Sequence, residues 1–307
     1  MPKIAILLVT YNPDWDKYRR TLYSIIIQKN VEVSLIIADD GSENDFFDLA
    51  EAYLNENNFQ NYRYVKNQQN IGTVRNILSA LTFVKAKYVK LISPGDYFYS
   101  ENVLNEMIVF LENNPCSACF GDLYSYNSEF EIKKVRKPIN ITPYENLNIK
   151  KQKYSFFRLG DLIIGASLVY NTDRLFFWLS ELCSRIKYTE DNTTIACMLA
   201  NDEIIRHIPL RNSVFVWYEI GTGISTNADY KWKRIINSEL KAVFDYLYNL
   251  KLIKQIDIDI NFSDSIFKKN FLKVIFRPFN IIKNRFIGKS KIIKDLDVLR
   301  KLISLYS

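Results

Sequence analysis

Two carboxylates stand side by side at Asp39 and Asp40, directly after the apolar residues Val33, Leu35, Ile36, Ile37 and Ala38 and directly before Gly41 and Ser42. Adjacent acids at the end of a buried strand are costly to desolvate. In an open α/β sheet the usual reason for such placement is a ligand held beyond the carboxyl ends of the strands. The plainer alternative is an acidic turn capping the next helix.

Those acids need strands to carry them. Ile4 to Val9 is a second short apolar run and ends in the polar turn Thr10-Tyr11-Asn12-Pro13. Between the two runs, Tyr18, Leu22, Ile25 and Ile26 recur at helical spacing within Trp15 to Gln28. The order strand, helix, strand predicts a parallel βαβ unit with its ligand where both strands end. Further strands are expected near Tyr62, Val89 and Ala118. Asn70 and Gly72 form a turn into a helix from Val74 to Phe83, which puts Arg75 in a first turn at the strand ends; taken alone, Arg75 reads as a solvated helix residue.

Three segments in this order, Ile6-Leu7-Leu8-Val9-Thr10-Tyr11-Asn12, Ile37-Ala38-Asp39-Asp40-Gly41-Ser42 and Asn70-Ile71-Gly72-Thr73-Val74-Arg75-Asn76, resemble the nucleotide-binding half of the inverting family-2 glycosyltransferases. The resemblance implies a GT-A fold, an α/β Rossmann-like catalytic domain. It also implies that Tyr11 packs on the base, Asp40 accepts from the base N–H and Arg75 helps hold the base, with Asp39, Thr10 and Asn12 beside them. The residue types suit uracil, whose ring N–H lies between two carbonyls and whose face stacks on an aromatic ring. A UDP-sugar donor is the expected partner.

The next family motif follows a strand at Val89 to Ile92 with an Asp-x-Asp-Asp cluster for a divalent metal on the diphosphate. Here the stretch is Ser93-Pro94-Gly95-Asp96, so Asp96 alone remains to ligate Mn²⁺ or Mg²⁺, or to meet the ribose. One or two carboxylates plus phosphate oxygens suffice for such an ion. The alternative is diphosphate charge met by basic groups.

On the acceptor side, Gly160-Asp161-Leu162-Ile163-Ile164-Gly165-Ala166-Ser167 and Tyr188-Thr189-Glu190-Asp191 are similar to further family segments. The second implies that Asp191 is the general base, with Glu190 beside it. Thr189 capping a helix over Asn192 to Leu199, with the two acids in its first turn, explains the same residues structurally. Tyr218-Glu219-Ile220-Gly221-Thr222-Gly223-Ile224-Ser225 resembles the segment that closes the family's catalytic domain. His207, the only histidine, has no acid next to it in sequence and reads as a partly buried strand residue.

Charge is uneven along the chain. Of 41 Lys and Arg, 11 fall in residues 265–307 with only 2 of the 34 Asp and Glu, so the tail carries +9 against +7 for the whole. Phe267, Phe271, Phe276, Phe279 and Phe286 interleave with those cations, a pattern expected of an interfacial anchor on an anionic leaflet. A basic helix packed on the catalytic domain, or a homodimer contact, is the alternative; nucleic acid is not expected, because no recognisable module precedes the tail. No membrane-span-length apolar run or signal core is visible. Cys116 and Cys119 have metal-ligand spacing without a second close pair, which fits reduced thiols better than zinc.

The expected organisation is a catalytic domain over 1–226, divided into a nucleotide-sugar half (1–127) and an acceptor half (128–226). A helical extension over 227–307 follows, with a helix over 229–250, a polar break near 257–264 and the basic tail. Glu131 to Lys153 reads as a loop or lid. The reading is an inverting hexosyl- or N-acetylhexosaminyltransferase acting on an oligosaccharide or lipid-linked glycan for a bacterial surface, cytoplasmic and peripheral at the inner membrane face. A nucleotidyltransferase and a GT-A binding protein without catalysis are the competing classes.

Overall fold

Every residue of Ile4–Thr10 except Val9 is buried, and this segment forms the central strand β1. Its side chains alternate between two apolar cores: Ala5 and Leu7 enter one, and Ile4, Ile6 and Leu8 enter the other. That two-sided burial explains why the sequence is apolar throughout rather than alternating. The computed structural model describes residues 2–127, 132–135, 138, 140–209, 214–221, 230–263, 265 and 271–272.

After β1 come α1 (Trp15–Ile26), β2 (Val33–Asp39), α2 (Phe47–Glu56), β3 (Tyr62–Lys66), α3 (Thr73–Leu81) and β4 (Tyr88–Ile92). The Asp14 carboxylate starts α1 by accepting the Lys17 N–H at 3.0 Å. β2 and β4 flank β1 in parallel, and β3 lies parallel beyond β2. The chain continues through β5 (Tyr97–Phe98), α4 (Val103–Asn113), β6 (Ala118–Phe120), β7 (Asp122–Tyr126) and β8 (Ile132–Val135). Then follow α5 (Thr142–Glu145), α6 (Ile149–Lys153), a π-helical turn (Tyr154–Leu159), β9 (Leu168–Asn171), α7 (Thr172–Leu182), α8 (Asp191–Ala200), β10 (Ile205–His207), β11 (Val214–Glu219), α9 (Tyr230–Asn249) and α10 (Gln255–Phe262).

The main sheet has seven strands in the order β10-β6-β9-β4-β1-β2-β3. β9 runs antiparallel between β4 and β6. A four-stranded sheet, β5-β11-β7-β8, stands beside it. Helices α1, α2 and α4 cover one face of the main sheet. On the other, α3, α7 and α8 share a core with Leu240, Val243, Phe244 and Leu247 of α9 and Ile258 of α10. This is the expected mixed α/β GT-A architecture.

Three local expectations are corrected. Thr142–Lys153 is not loop: it forms α5 and α6, with Tyr144 and Gln152 fully buried. Gln152 Nε2 donates to Pro143 O at 3.0 Å and Ile205 O at 3.2 Å, which pins the segment under the sheet edge. The break near 257–264 is instead mostly α10; Asp257 is buried, pairs with Arg158 and accepts the Lys254 N–H at 2.8 Å. Thr189 does not cap α8, since its hydroxyl donates to Glu239 at 2.8 Å. Almost all of the basic tail lies outside the described residues, as do residues 222–225.

Candidate active site

Asp39 ends β2 fully buried, and its carboxylate is matched inside the protein. Oδ2 accepts from Thr10 Oγ1 at 3.0 Å and Ser42 Oγ at 2.5 Å, and Oδ1 accepts the Ser42 N–H at 2.8 Å. Asp39 thereby supports the turn. Asp40 faces the other way: Oδ1 accepts the Ile71 N–H at 2.9 Å and Oδ2 the Gly72 N–H at 2.9 Å, with Asn67 Nδ2 at 3.3 Å. Oδ1 therefore already accepts two bonds, whereas Oδ2, with one, keeps a lone pair for a further donor.

Asn12 links the first two turns. Its N–H donates to Ser42 Oγ at 2.7 Å, and its Oδ1 accepts the Glu43 N–H at 3.1 Å. Tyr11 beside it is 53% exposed, a ring with no need of the core and available as a stacking face. Arg75 is exposed in the first turn of α3 with no partner among the described residues. Thr10, Tyr11, Asn12, Asp39 and Asp40 therefore lie at the carboxyl ends of β1 and β2, and Arg75 lies in the first turn of the helix that follows the Asp40 contacts.

Asp96 follows β4 and is buried, with Oδ1 accepting the Glu219 N–H at 3.2 Å. Burial pushes its carboxyl up to about 7. Gly95 beside it has φ +100°. A Cβ there would overlap Glu219 Oε2. Glu219 itself, at the end of β11, holds Lys17 Nζ at 2.6 and 2.9 Å. Among the described residues no three metal-ligating side chains converge. Asp96 and Glu219 still supply two carboxylates on adjoining strand ends, a donor set that fits Mg²⁺ or Mn²⁺ held jointly with phosphate oxygens.

Glu190 and Asp191 meet the acceptor-side segment at the start of α8. Asp191 Oδ1 accepts the Asn192 N–H at 2.6 Å, its carboxylate lies against the Gly165 backbone, and Asn192 Oδ1 accepts the Ile163 N–H at 3.1 Å. Burial raises both acids, and the adjacent Asp191 charge helps carry Glu190 to about 8. The environment thus pushes both adjacent acids toward holding a proton, with the Asp191 charge adding to burial at Glu190.

Sequence reasoning passed over Lys90, a cation buried in the middle of β4. Its Nζ donates to Leu91 O at 2.9 Å and Ala166 O at 2.6 Å. Burial lowers it to about 8, against the opposing pull of Asp96, Cys119 and Glu190. The signal was present: one Lys inside Tyr-Val-Lys-Leu-Ile. His207 likewise gains acids from elsewhere in the fold, with Asp122 at 3.5 Å and Glu145 at 3.3 Å.

Comparison with known proteins identifies the family. The sequence profile of Glycosyl transferase family 2 matches residues 5–173. The chain belongs to that family and is a glycosyltransferase with the GT-A fold. Similar solved structures include S. aureus TarS 1-349 in complex with UDP-GlcNAc, at 16% identity and TM-score 0.57, over 94% of this chain and 73% of that one. TarS 1-349 in complex with UDP is similar at 15% identity and TM-score 0.52, over 94% and 76%. At these identities the likeness speaks for fold alone. No curated protein matches the chain.

Proposed function

We propose that the protein is an inverting glycosyltransferase that moves a sugar from a UDP-sugar to a hydroxyl of a glycan, with Asp191 as general base and Tyr11, Asp40 and Arg75 as the uracil site. One observation carries this reading. The Val74 N–H, in the turn that carries the Asp40 contacts into α3, donates to Lys187 O at 3.0 Å, three residues before Glu190. A single loop therefore joins the nucleotide motifs to the carboxylate pair.

In this reading the acceptor hydroxyl gives its proton to Asp191 as its oxygen attacks the anomeric carbon, and UDP leaves from the opposite face. Glu190, raised to about 8 by burial and the neighbouring Asp191, holds its proton at neutral pH and so limits the repulsion Asp191 meets. Asp96 and Glu219 would hold a divalent ion, which would supply charge neutralisation on the departing diphosphate. The binding of UDP-GlcNAc by the structurally similar TarS supports a UDP-sugar donor. Surface-glycan synthesis at the inner membrane face is the proposed setting, supported by the basic tail; among the described residues no helix is long and apolar enough to cross a membrane.

Release of free UDP from a donor panel, with a glycan acceptor and with or without chelator, tests the proposal. Asp191→Asn is expected to lower the rate at least about 10²-fold while UDP affinity holds. Retained activity in Asp191→Asn with loss in Glu190→Gln would move the base by one residue.

A further inference from the structure

A single carboxylate on α9 gathers the loop that leads into the acid pair. Glu239 Oε1 accepts the Lys187 N–H at 3.0 Å. Its Oε2 accepts the Tyr188 N–H at 3.1 Å, the Thr189 N–H at 2.9 Å and the Thr189 hydroxyl at 2.8 Å. Three successive backbone donors converging on one carboxylate form an anion nest, here occupied by a side chain from a distant helix. Tyr188 adds an edge-to-face contact with Trp232 of the same helix, with centroids 5.2 Å apart.

The opposite side of this loop is fixed as well. Lys187 O accepts the Val74 N–H, and the Lys187 side chain covers Gly72, where a Cβ would overlap it. Gly72 is also the residue whose N–H reaches Asp40. Downstream, the Thr193 hydroxyl donates to Thr189 O, and the Thr194 hydroxyl donates to Glu190 O at 2.6 Å. The loop is thus held at three places, and only Glu239 contributes a charge. It also lies outside the 5–173 segment that the family profile matches.

We propose that Glu239 is a positioning residue for transfer, fixing the approach of residues 187–189 so that Glu190 and Asp191 stand at the acceptor while the nucleotide turn stays in place. This rests on the reading of Asp191 as the base. Asp40 keeps its own bonds to Ile71 and Gly72, so losing Glu239 should displace the acid pair and leave nucleotide binding intact. A misplacement on the order of 1 Å near reacting groups costs up to about 10²-fold in rate.

Charge gives a second signature. Glu190 is faced by Asp191 on α8, Lys90 on β4, Tyr170 on β9 and Glu239 on α9. Removing the Glu239 charge relieves repulsion, so the pair releases its protons at lower pH. A purely structural loss would reduce the rate at every pH without moving the limb.

The test uses the full chain with Glu239→Gln, which keeps the shape but presents one oxygen and an NH₂ to donors that need two oxygens. UDP release, UDP calorimetry and the pH dependence of kcat are measured well below the melting temperature. Expected are a kcat lowered about ten- to a hundredfold, UDP affinity unchanged within about twofold, and an acid limb moved to lower pH. If Glu239→Gln is not recovered folded, Thr189→Val removes one of the bonds and should give a smaller loss of the same kind. A wild-type protein that transfers sugar beside a variant with equal kcat, or with a loss confined to UDP affinity, overturns the role of Glu239. A wild type that releases no UDP from any donor overturns the underlying transferase reading instead.

Discussion

Glu219 Oε2 stands where the side chain of any residue replacing Gly95 would have to begin. Position 95 therefore has no room for a side chain. The space is taken by a carboxylate arriving from β11 and held there by Lys17.

Gly95→Ala is expected to destabilise the fold by about 1–2 kcal/mol, because φ +100° is costly for an L side chain. Urea unfolding measures it. The double variant Gly95→Ala with Glu219→Ala should remain destabilised, since the backbone strain survives removal of the overlap; full recovery would assign the whole effect to Glu219.

Asp40→Ala and Arg75→Ala should each weaken UDP binding, the former by about 1.5–3 kcal/mol if its carboxylate accepts the base N–H. Their stabilities should differ. Asp40→Ala leaves the Ile71 and Gly72 N–H groups unmatched and lowers the melting temperature, whereas exposed Arg75 can be removed without that effect. Calorimetry showing unchanged affinity in both variants would remove the base-site assignment.

Stability should fall as pH rises from the ordinary carboxylate range to about 8. Glu190, raised to about 8, and Asp96, raised to about 7, bind protons in the folded state that the unfolded chain has already released. Lys90 acts in the other direction: lowered to about 8, it binds fewer protons than the unfolded chain above that pH, so part of the stability returns toward pH 10.5. Denaturant midpoints at pH 5, 8 and 10 check the sign. Glu190→Gln should flatten the first limb, and an unchanged slope would exclude Glu190 as its source.

Deleting residues 265–307 should release the protein from anionic vesicles and spare activity on a soluble acceptor. Each Lys or Arg near such a surface contributes about 1 kcal/mol. Binding by the full chain should weaken at high salt and be poor on neutral vesicles. Equal vesicle binding by the truncated chain would make the tail a packing or assembly element.

What the sequence discloses is mostly local. Ile4 to Thr10 and Val33 to Asp39 announce themselves as strands because burial on both faces leaves an unbroken apolar run. Asp39, Asp40, Glu190 and Asp191 are legible as adjacent acids at element ends. Tyr144 and Gln152 were missed because the segment around them has weak periodicity, and its burial comes from the sheet edge, 53 residues away at Ile205. Lys90 is visible as an anomaly, but its partner Ala166 is 76 residues off. Glu239 carries no local signal at all: its partners are fifty residues upstream, and a Glu on a helix looks solvated.

The shared core beneath α3 and α7 gives the molecule an unusual dividing line. Phe244 of α9 packs edge-to-face against Phe157 and against Phe262, while Asn261 Nδ2 donates to Phe157 O at 2.8 Å. The family profile stops at residue 173, yet a chain cut there would strip Leu175, Trp178, Leu179 and the α9 apolar face from the same cluster. Similarity and autonomy therefore have different limits in this protein. The segment from Ile4 to at least Phe262 should melt in one cooperative step, and the recognisable transferase portion cannot be exchanged between relatives as a freestanding module without carrying α9 and α10 along.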